Sequence, residues 1–241
     1  MTTFQNIYED ADYADSYAGL EWVGTYHLVR RDLPSILRKH ITGRRALDFG
    51  CGTGRSTRLL RECGFNVTGV DVAESMILRA RQLDPEGDYR LCKEGGLARL
   101  PRRAFDLTLA AFPFDNTPAH DKPRLLRTLR SLLRPTGRIV NVVSSSEIYK
   151  HEWASFSSRD FPENRHARDG EIVRLVTTEF RNRRPCEDVL CTDEAYRGIY
   201  ADAGLEEVAA YRPLARGDEG VPWVSETQVA PWVIWVLKRK E

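Results

Sequence analysis

No apolar run in this 241-residue chain approaches the length of a membrane span. Its amino terminus is polar, acidic and aromatic, without the basic start and continuous apolar core of a signal peptide, so a cytoplasmic location without a membrane partner is expected. Cysteine is sparse and odd in number: Cys51, Cys63, Cys92, Cys186 and Cys191 fit a reducing compartment rather than a disulfide framework. No His or Cys pair lies at zinc-finger spacing near Cys186 and Cys191, so no metal is expected. An excess of one charge is also missing. Thirty-six basic residues face 35 acidic ones, a formal charge of +1, which argues against a global field that gathers nucleic acid. Arginine pairs at 30–31, 44–45, 102–103 and 183–184 leave a local patch open. Repeats, low-complexity tracts and obvious linkers are absent, and the length suits one domain with a sizeable core.

What is present is concentrated at residues 44–71. The short apolar pair Ala46 and Leu47 reads as a buried strand ending at Asp48, and Gly50, Gly52 and Gly54 then allow a turn that no Cβ would permit. A helix from about Ser56 to Cys63 would direct its amino-terminal dipole at a ligand above the glycines. Asp71 closes the next strand, where a carboxylate can accept from both hydroxyls of a ribose, so a nucleoside is the expected guest. Dinucleotide sites use G-x-G-x-x-G, whereas the third position after Gly52 is here Arg55.

Asp48-x-Gly50-x-Gly52-x-Gly54 resembles motif I of the class I S-adenosylmethionine-dependent methyltransferases, and later landmarks follow in that family's order. Arg90 to Cys92 resembles the third strand, Phe105 to Ala111 the fourth, and Leu132 to Val140 a helix end, turn and fifth strand. The resemblance implies an α/β fold: a Rossmann-like, seven-stranded, mostly parallel sheet with helices on both faces and an antiparallel last strand. It also implies a helical lid at 1–43, a cofactor core at 44–144, a substrate-covering insertion at 145–191 and a carboxy-terminal helix and strands at 192–241. S-adenosyl-L-methionine is the implied cofactor. Its implied contacts are Asp48 at the methionine end, the three glycines with Arg55, Asp71 with Val72 at the ribose, Met76 and Ala111, and Tyr17 and Tyr26 from the lid. Many relatives place an acid against the adenine amino group where this chain has Gly96; Glu94 or the Leu97 backbone amide is then left to make that contact.

Outside that core the residues carry less. A helix from Arg30 to His40 has an apolar face and fits Pro34 only near its first turn. Phe114, Asp115 and Asn116 follow the fourth strand, where donor and acceptor should meet; the other reading of Asp115 and Asn116 is a cap for a helix at 121–133. His151 is the first candidate for a general base, beside Tyr149 and Trp153 in an aromatic segment placed to cover the pocket. Glu171 to Thr177 alternates and pairs naturally with 186–191 as an added hairpin. Thr192 caps a helix that Gly204 ends, and Leu205 to Tyr211 and Pro231 to Leu237 read as the last strands. Trp223 and Glu226 sit in an aromatic loop between them, within reach of an acceptor or packing the loop.

The resemblance implies methyl transfer to a nitrogen or oxygen of a small molecule, and the aromatics near the mouth favour a heteroaromatic metabolite. The amino-terminal aromatics and the late Trp-containing loop are loosely similar to those of toxoflavin-type N-methyltransferases. The alternatives are an RNA, DNA or protein methyltransferase and a non-catalytic nucleoside-binding protein. The oligomeric state is open, a homodimer included.

Overall fold

The computed structural model describes residues 22–93, 95–179 and 185–240. Tyr17 and Glu94 lie outside the described residues. The frame is a seven-stranded sheet in the order β3-β2-β1-β4-β5-β10-β9. Strands β1 (Arg45–Phe49), β2 (Asn66–Asp71), β3 (Asp88–Leu91), β4 (Phe105–Ala111) and β5 (Leu133–Ser144) run parallel. Strand β10 (Trp232–Arg239) is antiparallel to both β5 and β9 (Leu205–Tyr211). The order reverses between β1 and β4, and it is outside the carboxyl ends of strands at such a switch point that open α/β sheets bind ligands.

Period-two alternation sends each strand's side chains to two different cores. Leu107 and Leu109 of β4, Val140 and Val142 of β5, and Ile234 and Val236 of β10 face one way. There they meet helices α1 (His27–His40), α2 (Arg55–Glu62) and α3 (Glu74–Leu83) through Leu33, Leu37, Leu60 and Met76. The intervening Ala110, Ile139, Val143, Val233 and Trp235 face the other way, onto Leu126, Leu129 and Leu132 of α4 (Lys122–Leu132) and Tyr196 and Tyr200 of α5 (Asp193–Asp202). Each such fully buried leucine contributes roughly 1.5–3 kcal/mol. Among the described residues no helix is long and apolar enough to cross a membrane.

Two local expectations need correction. Helix α1 begins at His27, so Pro34 sits inside it rather than in its first turn. The carbonyl that Pro34 leaves without a donor belongs to Arg30, an exposed residue, where water can take it. Nor do Asp115 and Asn116 cap the following helix: α4 starts at Lys122, behind Asp121. The added hairpin forms as β7 (Ile172–Thr177) against β8 (Cys186–Val189), and β6 (Phe156–Ser157) pairs with β7 to complete a separate three-stranded sheet. Thr192 Oγ1 accepts from the Ala195 amide at the start of α5, and Gly204 ends that helix at φ +69°.

Candidate active site

The glycine loop is folded back by its own backbone. The Gly50 and Cys51 amides both donate to the Val70 carbonyl, at 2.9 and 3.0 Å, and Gly54 N–H closes a turn onto Cys51 O at 2.9 Å. Gly50 and Gly54 have φ of +71° and +84°. A Cβ on Gly50 would stand 2.5 Å from the Pro113 side chain, and one on Gly54 2.5 Å from the Tyr89 hydroxyl. Backbone sign and close approach therefore both require glycine there. Helix α2 starts directly behind Gly54, which has no side chain to cap it, so the positive end of its dipole sits against the loop.

Two carboxyls flank this loop. Asp48 is fully buried; its Oδ2 accepts from Ser56 Oγ at 2.7 Å and Thr57 Oγ1 at 2.6 Å, while its Oδ1 has no hydrogen-bond partner. Burial pushes its pKa up to about 6, against the pull of the two hydroxyls, and the charge of Asp71 adds to the rise. Asp71 accepts from Gly52 N–H on Oδ2 at 2.8 Å and from Ala73 N–H on Oδ1 at 2.9 Å, and burial raises its pKa despite those amides. The same burial and both carboxylates push the Cys51 thiol up.

Asp71 opens onto a cavity of about 500 Å³, within the range of small-molecule sites. Gly50, Gly52, Asp71, Val72, Met76, Leu97 and Ala111 all line it, as does Asn116. Gly96 lies between two lining residues and donates its amide to Lys93 O at 2.8 Å. An orphaned buried carboxylate oxygen beneath a glycine cradle, and a second raised carboxyl in the wall, suit a ligand that brings hydroxyl donors and positive charge. S-adenosylmethionine, with its ribose, ammonium and sulfonium, fits that donor set.

Residues 46–137 match the family model of the methyltransferase domain. The chain is 28% identical over 193 residues to trans-aconitate 2-methyltransferase of Escherichia coli O1:K1 / APEC, covering 77% of this chain and 68% of that one. It is 30% identical over 106 residues to a ubiquinone biosynthesis O-methyltransferase of Xanthomonas euvesicatoria pv. vesicatoria, covering 42% and 44%. In fold it matches an S-adenosylmethionine dependent methyltransferase from Listeria monocytogenes with TM-score 0.64 at 16% identity, over 89% of this chain and 100% of that one. It also matches 1,6-didemethyltoxoflavin-N1-methyltransferase of Burkholderia thailandensis with TM-score 0.56 at 19% identity, over 98% and 84%. Residues 46–137 of the chain form a class I S-adenosylmethionine-dependent methyltransferase domain. S-adenosyl-L-methionine is its cofactor.

The other site residues expected of the methyltransferase stand off the cavity wall. Tyr26 and Arg55 meet each other behind the cavity wall, the Arg55 guanidinium 4.4 Å from the Tyr26 ring and 4.5 Å from that of Trp22. Phe114 is fully buried against Phe49, with ring centroids 5.6 Å apart. Tyr149 and Trp153 are also buried, Trp153 Nε1 donating to Ile148 O at 2.8 Å. Asp115 is buried off the cavity wall, where Ser144 donates to it. His151 is the outermost, its side chain 40% exposed and its Nε2 3.4 Å from Glu147 Oε2 on its own turn. Trp223 is partly buried, its ring 6.4 Å from that of His27. Glu226 packs its loop: it accepts from Thr25 Oγ1, Ala154 N–H and Val224 N–H at 2.7, 2.7 and 2.9 Å.

Several cavity residues escaped the sequence reading. Arg124, Leu125 and Thr128 line the cavity from α4, a face that periodicity alone assigns to solvent or core. Phe112 is the more telling omission. It is one of two non-glycine described residues at positive φ, +73°, in a conformation costing a bulky side chain on the order of 1–3 kcal/mol. Its ring edges onto Tyr26 at 5.5 Å and Trp232 at 4.8 Å, and Phe156 joins the same cluster at 5.3 Å from Tyr26. The Phe-Pro-Phe run was a visible signal; the strained backbone was not.

Proposed function

We propose that this methyltransferase acts on a nitrogen or oxygen of a small, planar heteroaromatic metabolite. The observation that carries the reading is Phe112, which lies in the cavity wall and in a cluster of four aromatic rings at once. Those rings come from four separate segments: α1's entry (Tyr26), the end of β4 (Phe112), β6 (Phe156) and the start of β10 (Trp232). Flat faces and edges so arranged favour another flat ring. The cofactor supplies an electrophilic methyl group on its sulfonium when bound. The protein's part is then to hold the acceptor in line and keep water away, with Phe112 and Asn116 at the boundary and the insertion 145–191 as cover. Asp115 acts by holding the loop that carries Asn116, and this reading gives no proton transfer to His151, which stands outside the cavity wall.

A small molecule is also what two relatives act on by name, trans-aconitate in one and 1,6-didemethyltoxoflavin in the other. A second reading, an acidic aliphatic acceptor, is favoured by Lys93 and Arg124 in the cavity wall. The test is a mass-gain screen of purified enzyme with S-adenosylmethionine against N-heteroaromatics and aliphatic polycarboxylates. Methylation of the aromatic set alone is the expected result; methylation of polycarboxylates alone would replace this reading with the second.

A further inference from the structure

Behind the cavity, on the side of the added hairpin, lies a buried polar cluster that methyl transfer does not itself use. Asp115, between the cavity residues Phe112 and Asn116, is fixed through both ends of the residue. Its carboxyl receives Ser144 N–H at 3.1 Å and Ser144 Oγ–H at 2.8 Å, from the end of β5. Its backbone carbonyl receives Val189 N–H at 2.7 Å, from the end of β8. The neighbouring residue of the hairpin, Asp188, is buried too and accepts from the Tyr149 hydroxyl at 3.0 Å. Lys122, the first residue of α4, is completely buried. Its Nζ has no hydrogen-bond partner and stands 5.1 Å from the Tyr196 ring.

The groups acting on this lysine are Asp115, Asp188, Asp169 and Cys191, and burial lowers its pKa against their pull. Burial raises both Asp115 and Asp188; the charge of Asp188 raises Asp115 further, and Lys122 draws both down. Two carboxylates and one ammonium leave one excess negative charge in a dry interior, and a single proton on the carboxyl pair removes it. The cluster joins two elements that line the cavity, the loop after β4 and α4, to the hairpin that bonds to that loop through Val189.

We propose that Asp115, Asp188 and Lys122 form a buried charged clamp by which the added hairpin positions the cavity loop Phe112–Pro118. Asp188 and Lys122 are positioning residues: they act through Asp115 and the loop. Balance of charge, more than packing, holds the clamp closed, and this separates it from an ordinary buried network. Removing the ammonium alone should strand two buried acids and open the loop. Removing one acid as well returns the cluster to the wild type's single excess negative charge, which one proton cancels, and should close it again.

Amide hydrogen exchange on the whole chain reads this directly, at the Asp115 and Val189 amides, with β1 and β4 amides as the control for global unfolding. Lys122→Met is expected to speed exchange of the two reporter amides by about 30-fold or more at pH 7.5, and Asp188→Asn by less than about threefold. The double variant should recover most of the lost protection, and Lys122→Arg should retain it. In the wild type, protection corrected for intrinsic exchange should fall as pH rises from 6 to 9, and Asp188→Asn should abolish that fall. An additive double variant, or a pH trend that survives Asp188→Asn, would overturn the clamp and leave Lys122 a packing residue. If Lys122→Met unfolds globally, the double variant decides, since only charge balance predicts that a second substitution refolds it. Turnover of an acceptor found in the mass-gain screen should follow the same order, with the dissociation constant for S-adenosylhomocysteine unchanged. The exchange measurements need no acceptor, so they stand or fall apart from the heteroaromatic reading.

Discussion

The two sides of the cavity are built by different means. On the glycine side the ligand meets backbone: Gly50, Gly52 and the amides that Asp71 ties down all lie within one strand-helix-strand unit. The opposite side, which the proposed function gives to the acceptor, is built from side chains brought from distant parts of the chain. Phe112 lines it and Tyr26, Phe156 and Trp232 converge behind, Trp232 Nε1 donating to Thr25 O at 2.9 Å, and Glu226 links Thr25 to Ala154. A backbone site tolerates change in side chains but none in conformation. A side-chain site can change occupant without changing fold, as the different acceptors named among the relatives illustrate.

The comparison breaks first at Asp71. Replacing it with alanine removes the ligand's carboxylate acceptor and frees the Gly52 and Ala73 amides, so affinity for S-adenosylhomocysteine should fall by about 100-fold or more. Calorimetric titration checks this, and affinity within a few fold of wild type would remove Asp71 from the ribose position. Phe112→Leu is the matching change across the cavity. It keeps an apolar side chain but loses two ring contacts, so kcat/KM for the acceptor should drop about 30-fold. Cofactor affinity should stay within about threefold. Equal loss of both would mean that the two sides are one site.

This division also explains what could be read without coordinates. Strand, glycines, helix and acid all fall within residues 44–71, and local spacing encodes them; β4 was legible from Phe105 to Ala111 to the residue. The hairpin showed itself by alternation, but its partner strand β6 is two residues long and carries no pattern. The acceptor side depends on contacts such as Asp115 with Ser144 and Thr25 with Glu226, which no local window contains. The burial of Lys122 has no signal in the sequence, because lysine is almost never fully buried unless paired. Its surroundings, the Tyr196 ring at 5.1 Å and the acids Asp115, Asp188 and Asp169 that act on it, come from segments other than its own.

A third, smaller effect separates the cavity acids from those at the surface. Asp48 is raised to about 6, so the folded protein holds a proton there that the unfolded chain has already released. Stability of the cofactor-free protein should therefore fall as pH rises from about 4 to 6 and level off above, by roughly 2–3 kcal/mol from this group. Asp88 and Asp84 shift the other way. Arg90 and Arg61 pair with them and hold them low, so their contribution is present above the ordinary carboxylate range and is lost as pH falls below it. Thermal unfolding from pH 2 to 8 with Asp48→Asn beside the wild type reads the difference. The variant should flatten the fall between about pH 4 and 6 and leave the acid limb below it unchanged; a parallel curve would show that Asp48 is ionised throughout.

The smallest effect is expected at His151. A general base must come within hydrogen-bonding reach of the proton that it removes. His151 instead stands 40% exposed, its Nε2 beside Glu147 Oε2 and its ring 6.0 Å from Trp153, which buries the surface between it and the core. Alignment alone accounts for most of the rate in a methyl transfer to a neutral ring nitrogen, which has a lone pair to offer and no proton to lose beforehand. His151→Ala should accordingly lower kcat less than about fivefold and leave its pH profile in place. A loss of about 100-fold, with the acidic limb of the profile gone, would mean that the insertion moves on binding and carries His151 inward. It would also identify the acceptor atom as one that must be deprotonated, a hydroxyl or a ring N–H.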